Sequence, residues 1–286
     1  QGSVGSQLHV EHLYLVVTYE LDTLREPWAV QSTQPIGDGQ LDTVQIQDES
    51  GKVHLNYASF ALLEALFEEA GLGVWRSIIL AWSTTTYRAT RMFTTIQEWR
   101  RITAAPTTSE YNAVRNFLTV MSRVNPYAES PNGSRPPVDI NTASATVLHA
   151  IFRPLFTISS SSRTSLVNDI ISTRATTPFF TFRSSAANPL VVDYYDFINA
   201  RPYLDTTSKQ WLWQNGDATN NLWGGANLTT LTTEFSYEGT AFQITANASK
   251  GNVRRSVTTV VADTGTLRPS NYIGQVNPAV TTLENF

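Results

Sequence analysis

Hydrophobic residues recur along this chain with a period that changes more than once. Leu13, Val16, Val17, Leu21 and Leu24 fall at helical spacing until Pro27 interrupts them, which predicts an amphipathic helix over residues 11–25. The β-branched run at 16–18 makes a strand the competing reading. Leu41, Val44 and Ile46 then lead into Asp48-Glu49-Ser50-Gly51, a strand closed by a turn whose carboxylates are expected to be solvated. From Val53 to about Phe182 the texture is helical. Asn56 or Ser59 is placed to cap a helix through Leu62, Leu63, Leu66 and Phe67 that stops at Gly71, where a left-handed residue is wanted. Trp75, Ile78, Ile79 and Trp82 form the next apolar stripe, residues 93–102 a short helix, and residues 111–121 another.

A Pro- and Gly-rich loop over 125–137 separates this from a second beginning. Asn141 or Ser144 caps a helix holding Val147, Leu148, Ile151 and Phe152, and Leu166, Ile170 and Ile171 supply the stripe of its partner. The two starts, LNYAS at 55–59 and INTAS at 140–144, mark a weak internal repeat of helix pairs, each expected to bury its apolar faces within the pair. Beyond Phe182 the helical period fades. The sequences AFQITANA and VRRSVTTVVA read as two strands joined at the SKGN turn over 249–252. With β elements on both sides of a helical block, the simplest architecture is a β-bearing domain into which a helical domain is inserted.

Composition narrows the chemistry. At 286 residues, 41% hydrophobic and 11% aromatic, the chain can bury a large core, and a net charge of −4 gives no general attraction to nucleic acid or anionic lipid. The absence of cysteine excludes disulfides, thiolate metal sites and a cysteine nucleophile. No HExxH, GxSxG or Walker loop is present, and Ser and Thr without a placed base are caps and strand residues, so no enzyme is expected. His9 and His12 form an HxxH pair short of the three or four ligands a metal needs, while His54 and His149 stand alone.

Several segments, in their order and spacing, resemble one family. These are DESGKVHLN at 48–56, the helix to Gly71, FTTIQEWRRI at 93–102, NFLTV at 116–120, VDINTAS at 138–144, IISTR at 170–174 with PFFTF after it, and the FQITANA strand. They resemble the K-type minor pseudopilins of bacterial type II secretion, over most of residues 40–265, with the minor pilins of type IV pili as close siblings. The resemblance implies an α+β, pilin-like fold: an N-terminal helix on a small antiparallel sheet, with a large all-helical domain of two helix-hairpin-helix-like repeats inserted. The corresponding boundaries are 1–52 and 186–286 for the pilin-like parts and 53–185 for the insertion. It further implies a periplasmic ectodomain anchored in the inner membrane by a helix preceding Gln1. That ectodomain would sit at a pseudopilus tip with I- and J-type minor pseudopilins as partners, to initiate the pseudopilus and support export. On that reading Leu13, Val16, Val17, Leu21 and Leu24 are the natural partner interface, with packing on the chain's own sheet as the alternative use of the same face.

The resemblance implies no required cofactor, although some members bind calcium. Where they commonly carry an acidic stretch after the tryptophan matching Trp82, this chain has Ser83-Thr84-Thr85-Thr86. Asn215, Asp217 and Asn220, within the tryptophan-rich loop over 211–225, offer oxygen ligands, and the same loop can equally stack on sugar, meet a partner, or simply pin itself to the sheet. The INTAS block also resembles the helix-hairpin-helix modules of DNA-binding competence proteins, which dock turn amides on phosphates. Here Glu68 and Glu69 precede the Gly71-Leu72-Gly73 turn and the second turn has no glycine, which disfavours nucleic acid. A type IV pilus tip protein that binds DNA or a surface ligand is the alternative function.

Overall fold

The computed structural model describes residues 34–36, 39–121, 138–155, 158–180, 192–209, 212, 235–236, 241–262 and 279–282. The expected helix over 11–25 and all of the 211–225 loop except Leu212 lie outside them. Among the described residues the order is β1 (Gln34–Ile36), β2 (Gly39–Asp48), β3 (Val53–His54), α1 (Phe60–Glu69), α2 (Val74–Arg88), α3 (Thr108–Val114), β4 (Leu118–Thr119) and β5 (Val138–Asp139). There follow α4 (Ala145–Phe152), α5 (Ser160–Arg174), β6 (Phe179–Phe180), β7 (Val192–Asp193), α6 (Tyr194–Asn199), β8 (Phe235–Ser236), β9 (Ala241–Lys250), β10 (Val253–Ala262) and β11 (Ala279–Thr282).

One antiparallel sheet runs β1-β2-β9-β10-β11. Its central pair, β2 and β9, is formed by strands on either side of the helices in sequence, so the helical block is an insertion into the sheet. The β9–β10 hairpin closes across Lys250 and Val253, with Gly251 at φ 57, a left-handed value that glycine adopts without a Cβ penalty. On β2, Asp42 is the extra residue of a bulge and accepts from the Ser249 hydroxyl.

The helices follow one plan used twice. Ser59 accepts from Leu62 N–H (3.1 Å) and Ser144 from Val147 N–H (3.2 Å), so in both starts the serine is the cap. That frees the two asparagines for another task. Asn56 donates to the Phe93 carbonyl and accepts from the Phe93 N–H (2.9 and 2.8 Å), and Asn141 makes the same two bonds with Phe179 (3.2 and 2.8 Å). Arg88 reaches back to the Leu55 carbonyl as Arg174 does to that of Ile140. Each residue at the start of a helix pair is thus tied to the segment leaving it.

Helix α1 ends in a Schellman motif, with Gly71 at φ 90, Gly71 N–H donating to Glu68 O and Leu72 N–H to Phe67 O. Helices α1 and α4 pack on each other as well as on α2 and α5, and Arg153 spans the pairs to Glu68 and Glu69. The core draws also on Tyr194, Phe197, Ile198, Leu204, Leu212 and Phe235, beyond the helices expected from periodicity. Phe197 meets Phe179 edge-on at 4.9 Å, and Phe235 lies against Phe152 and Tyr194.

Three expectations need correction. Helix α2 does not bury its apolar stripe: Trp75 and Trp82 are 79% and 58% exposed, Ile79 is exposed, and Ser77, Leu80, Ala81, Ser83 and Thr84 face inward. Of the inward polar residues Ser77 donates to Leu72 O and Thr84 to Leu80 O, while the buried Ser83 hydroxyl has no hydrogen-bond partner among the described residues. Second, the helix over 93–102 is 3₁₀ and confined to Ile96–Arg101. Third, the one expected over 111–121 starts earlier, under a Thr107/Glu110 capping box, and gives way after Val114 to a 3₁₀ turn and β4.

Candidate assembly interface

Leu13, Val16, Val17, Leu21 and Leu24 lie outside the described residues; the surface they are expected to meet does not. Cross-strand register places Leu41, Val44 and Ile46 of β2 opposite Ala248, Ala246 and Ile244 of β9, with Val257 of β10 next to Ala246. On β2 and β9 one face of the sheet is therefore apolar, with Arg255 and Thr259 of β10 flanking Val257 on the same side, while Gln40, Thr43, Gln45 and Gln47 line the other beside Ser249, Asn247, Thr245 and Gln243. Leu41, Val44, Ile46, Ile244 and Ala246 are only half-buried and Val257 is 57% exposed. Such a face suits an apolar helix laid across it.

Where the sheet meets the helices, the turn after β2 is packed rather than solvated. Asp48 and Glu49 are buried, which overturns the expectation of exposed carboxylates. Asp48 accepts from Ser50 N–H (2.7 Å) and from the Thr142 hydroxyl of the INTAS segment, and Asp139 N–H donates to Ser50 O (2.9 Å). Glu49 is paired with Lys52, and its N–H donates to Ala241 O (2.7 Å), tying the turn to β9. Gly51 has no room for a side chain: a Cβ there would lie 2.6 Å from Thr142 Oγ1 and 2.9 Å from Ala143 N. Burial holds the Asp48 carboxyl above its usual range against the bonds from Thr142 and Ser50. Two carboxyls this enclosed have no path to a substrate, so the cluster fixes the junction in place.

His54 is buried at the equivalent point of the first helix pair. Its Nδ1 accepts from Asn56 N–H (3.2 Å), the job that Asp139 Oδ1 does for Asn141 N–H (2.8 Å). Burial pushes the His54 imidazole down from 6.5 to about 4. The folded protein then keeps it neutral where the unfolded chain already binds a proton. Its stabilising contribution is complete above pH 6.5 and is lost as pH falls towards 4, by about 3 kcal/mol at ~1.4 kcal/mol per pH unit. Urea unfolding of the wild type and of His54→Asn at pH 7.5 and 4.5 checks this: their stability difference should shift towards the variant by about 2–3 kcal/mol at the lower pH. Because Asp48 titrates in both proteins, its opposite-signed contribution cancels.

The remaining chemistry is limited. At the Gly71-Leu72-Gly73 turn, the Gly71 and Leu72 amides are already engaged by helix α1. Beside it lies a hollow of about 290 Å³ lined by Leu72, Arg76 and Glu110. Arg76 is held there by both Glu110 oxygens (2.7 and 2.9 Å), and Arg76, with the Thr107 N–H, holds the Glu110 carboxyl down at about 2. A phosphate would meet a carboxylate that stays ionised and, at Gly71 and Leu72, two amides that are occupied. Among the described residues no group of three or more His, Asp or Glu is placed to hold a metal ion, and His9, His12, Asn215, Asp217 and Asn220 lie outside them. Ser83 and Thr84, where the acidic stretch was noted as missing, are buried, and Thr84 Oγ1 accepts from Trp99 Nε1 (2.8 Å). No helix among the described residues is long and apolar enough to cross a membrane.

Sequence reasoning missed the paired duty of Asn56 and Asn141. The signal for it was the recurrence of asparagine three residues before the capping serine in both blocks.

No family model and no curated protein matches the sequence. Among solved structures, a chain of the GspK-GspI-GspJ complex of the type 2 secretion system from enterotoxigenic Escherichia coli matches at 14% identity and a TM-score of 0.56, covering 94% of this chain and 89% of that one. The chain therefore shares the α+β fold of a chain of that complex, a small antiparallel sheet interrupted by helices.

Proposed function

We propose that this chain is the ectodomain of a K-type minor pseudopilin, a non-enzymatic structural protein that assembles with I- and J-type minor pseudopilins at the tip of a type II secretion pseudopilus. The observation that carries this reading is the likeness of fold to the GspK-GspI-GspJ complex over nearly the full length of both chains. The half-covered apolar face of the sheet adds to it. A helix over 11–25 laid there would direct part of its stripe inward and leave the rest for neighbouring helices in the assembly. In this reading the insertion begins at Val53, the pilin-like part resumes after it, and the ectodomain works in the periplasm. In this reading assembly requires no cofactor.

A DNA-capturing pilus tip, the alternative, finds no support in the occupied amides and ionised Glu110. Charges placed in the stripe test the interface: Leu13→Asp with Val17→Asp is expected to weaken association with I- and J-type partners at least tenfold. Unchanged association would remove the stripe from the interface.

A further inference from the structure

At the turn after β2 the sheet hands over to the helices, and the segment that opens the second helix pair closes against it. Asp139 N–H donates to Ser50 O (2.9 Å), Ser50 N–H to Asp48 Oδ1 (2.7 Å), and the Thr142 hydroxyl to Asp48 Oδ2. These bonds bring together two acids from opposite sides of the joint. The Asp48 carboxyl is hydrogen-bonded to that of Asp139, and the two residues are only 5% and 0% exposed.

A hydrogen bond between two carboxyls requires a proton on one of them, because a pair of carboxylates offers acceptors alone and repels. The neighbouring charges do not take the place of that proton. Glu49 and Lys52 answer each other, which leaves Arg174 of α5. Burial draws the Arg174 guanidinium down while Asp139 holds it up, and its Nη1 donates to Ile140 O (2.6 Å). One cation faces two acids, so one carboxylate is balanced and the other is left to keep its proton. Burial, which lifts Asp48 above its ordinary range, acts in the same direction.

The first helix pair shows that the fold does not require an acid at this place. There His54 Nδ1 accepts the N–H of the asparagine two residues on, as Asp139 Oδ1 does in the second pair. A neutral imidazole performs that backbone task without adding a charge. The carboxyl in the second pair does the same and also gives Asp48 a partner with which to share a proton.

We propose that Asp48 and Asp139 share one proton that bolts the second helix pair to the sheet, so that the joint tightens in mild acid and loosens as pH rises. The folded pair keeps a proton that the unfolded chain gives up above about pH 4. The stability it confers is therefore complete below that pH and is lost as pH rises through the pair's own titration. This joint rests on its own geometry and does not depend on the chain's being a pseudopilin.

Infrared difference spectra of wild type minus variant read the proton directly. At pH 5.5, where an isolated aspartate is ionised, the wild type should show a protonated-carboxyl stretch that Asp48→Asn and Asp139→Asn each remove. Its midpoint should lie at least about one pH unit above that of an ordinary aspartate. An asparagine amide can supply the N–H where the shared proton was, so both variants are expected to fold, and each carries the comparison if the other does not. Between pH 5 and 7.5 the urea midpoint of the wild type should fall relative to that of Asp48→Asn, the contribution of His54 being common to both. Over the same range the hydrogen-exchange protection of the Ser50 and Asp139 amides, corrected for intrinsic rate, should drop by about threefold or more in the wild type alone. Three results would overturn the proposal: a protonated-carboxyl stretch that neither substitution removes, urea midpoints that follow pH identically in wild type and variant, or protection of the two amides that does not change with pH.

Discussion

Trp99→Ala is expected to lower the stability of the protein by about 4 kcal/mol, read as a fall in the urea midpoint. Trp99 is fully buried between elements that are far apart in sequence: its ring lies 5.1 Å from Phe67 of α1 and 6.4 Å from Tyr111 of α3, and its Nε1 donates to Thr84 of α2. Truncation opens a cavity that none of these helices can close alone, because each is also tied elsewhere. Thr84 keeps its bond to Leu80 O, so most of the loss is packing. Trp82→Ala supplies the contrast on the neighbouring helix, with an expected cost below about 1 kcal/mol because the side chain is 58% exposed. Equal costs for the two tryptophans would mean that the outward stripe of α2 is wrongly placed.

Asn141→Ala is expected to cost about 3–4 kcal/mol, and Asn56→Ala only about 1–2. Both asparagines hold a backbone N–H and a C=O of a phenylalanine at the end of their helix pair, so the bonds lost to that phenylalanine are the same in kind and number. The difference is water. Phe93 and Phe179 are both buried, but Asn141 is buried as well, so removing its amide strands two polar groups without solvent, whereas Asn56 is half-buried and water can replace part of what is lost. Chemical denaturation of the two single variants measures the difference directly. A larger loss for Asn56→Ala would contradict the burial order.

Much of this fold was legible because its signals are local. Strands β9 and β10 with their Gly251 turn, β2, the serine caps and the glycine stop at residue 71 each depend on a few adjacent residues. The orientation of α2 was not legible, since periodicity locates an apolar face but does not say whether it points to the core or to a partner. The buried turn at Asp48 was hidden for a different reason: its partner Thr142 is distant in sequence, and nothing near Asp48 announces that a hydroxyl and the Asp139 segment will close over it. The expected assembly stripe from Leu13 to Leu24 is a sequence reading joined to an observed surface, the apolar face of the sheet formed by Leu41, Val44, Ile46, Ile244 and Val257.

Assembly with minor pseudopilins is tested most directly by mixing this chain with the I- and J-type ectodomains of the same cell and measuring the mass of the eluting species by light scattering. The account predicts one heteromeric complex containing all three chains, persisting at micromolar concentration. Separate elution of this chain, with the other two unaffected by its presence, would contradict it.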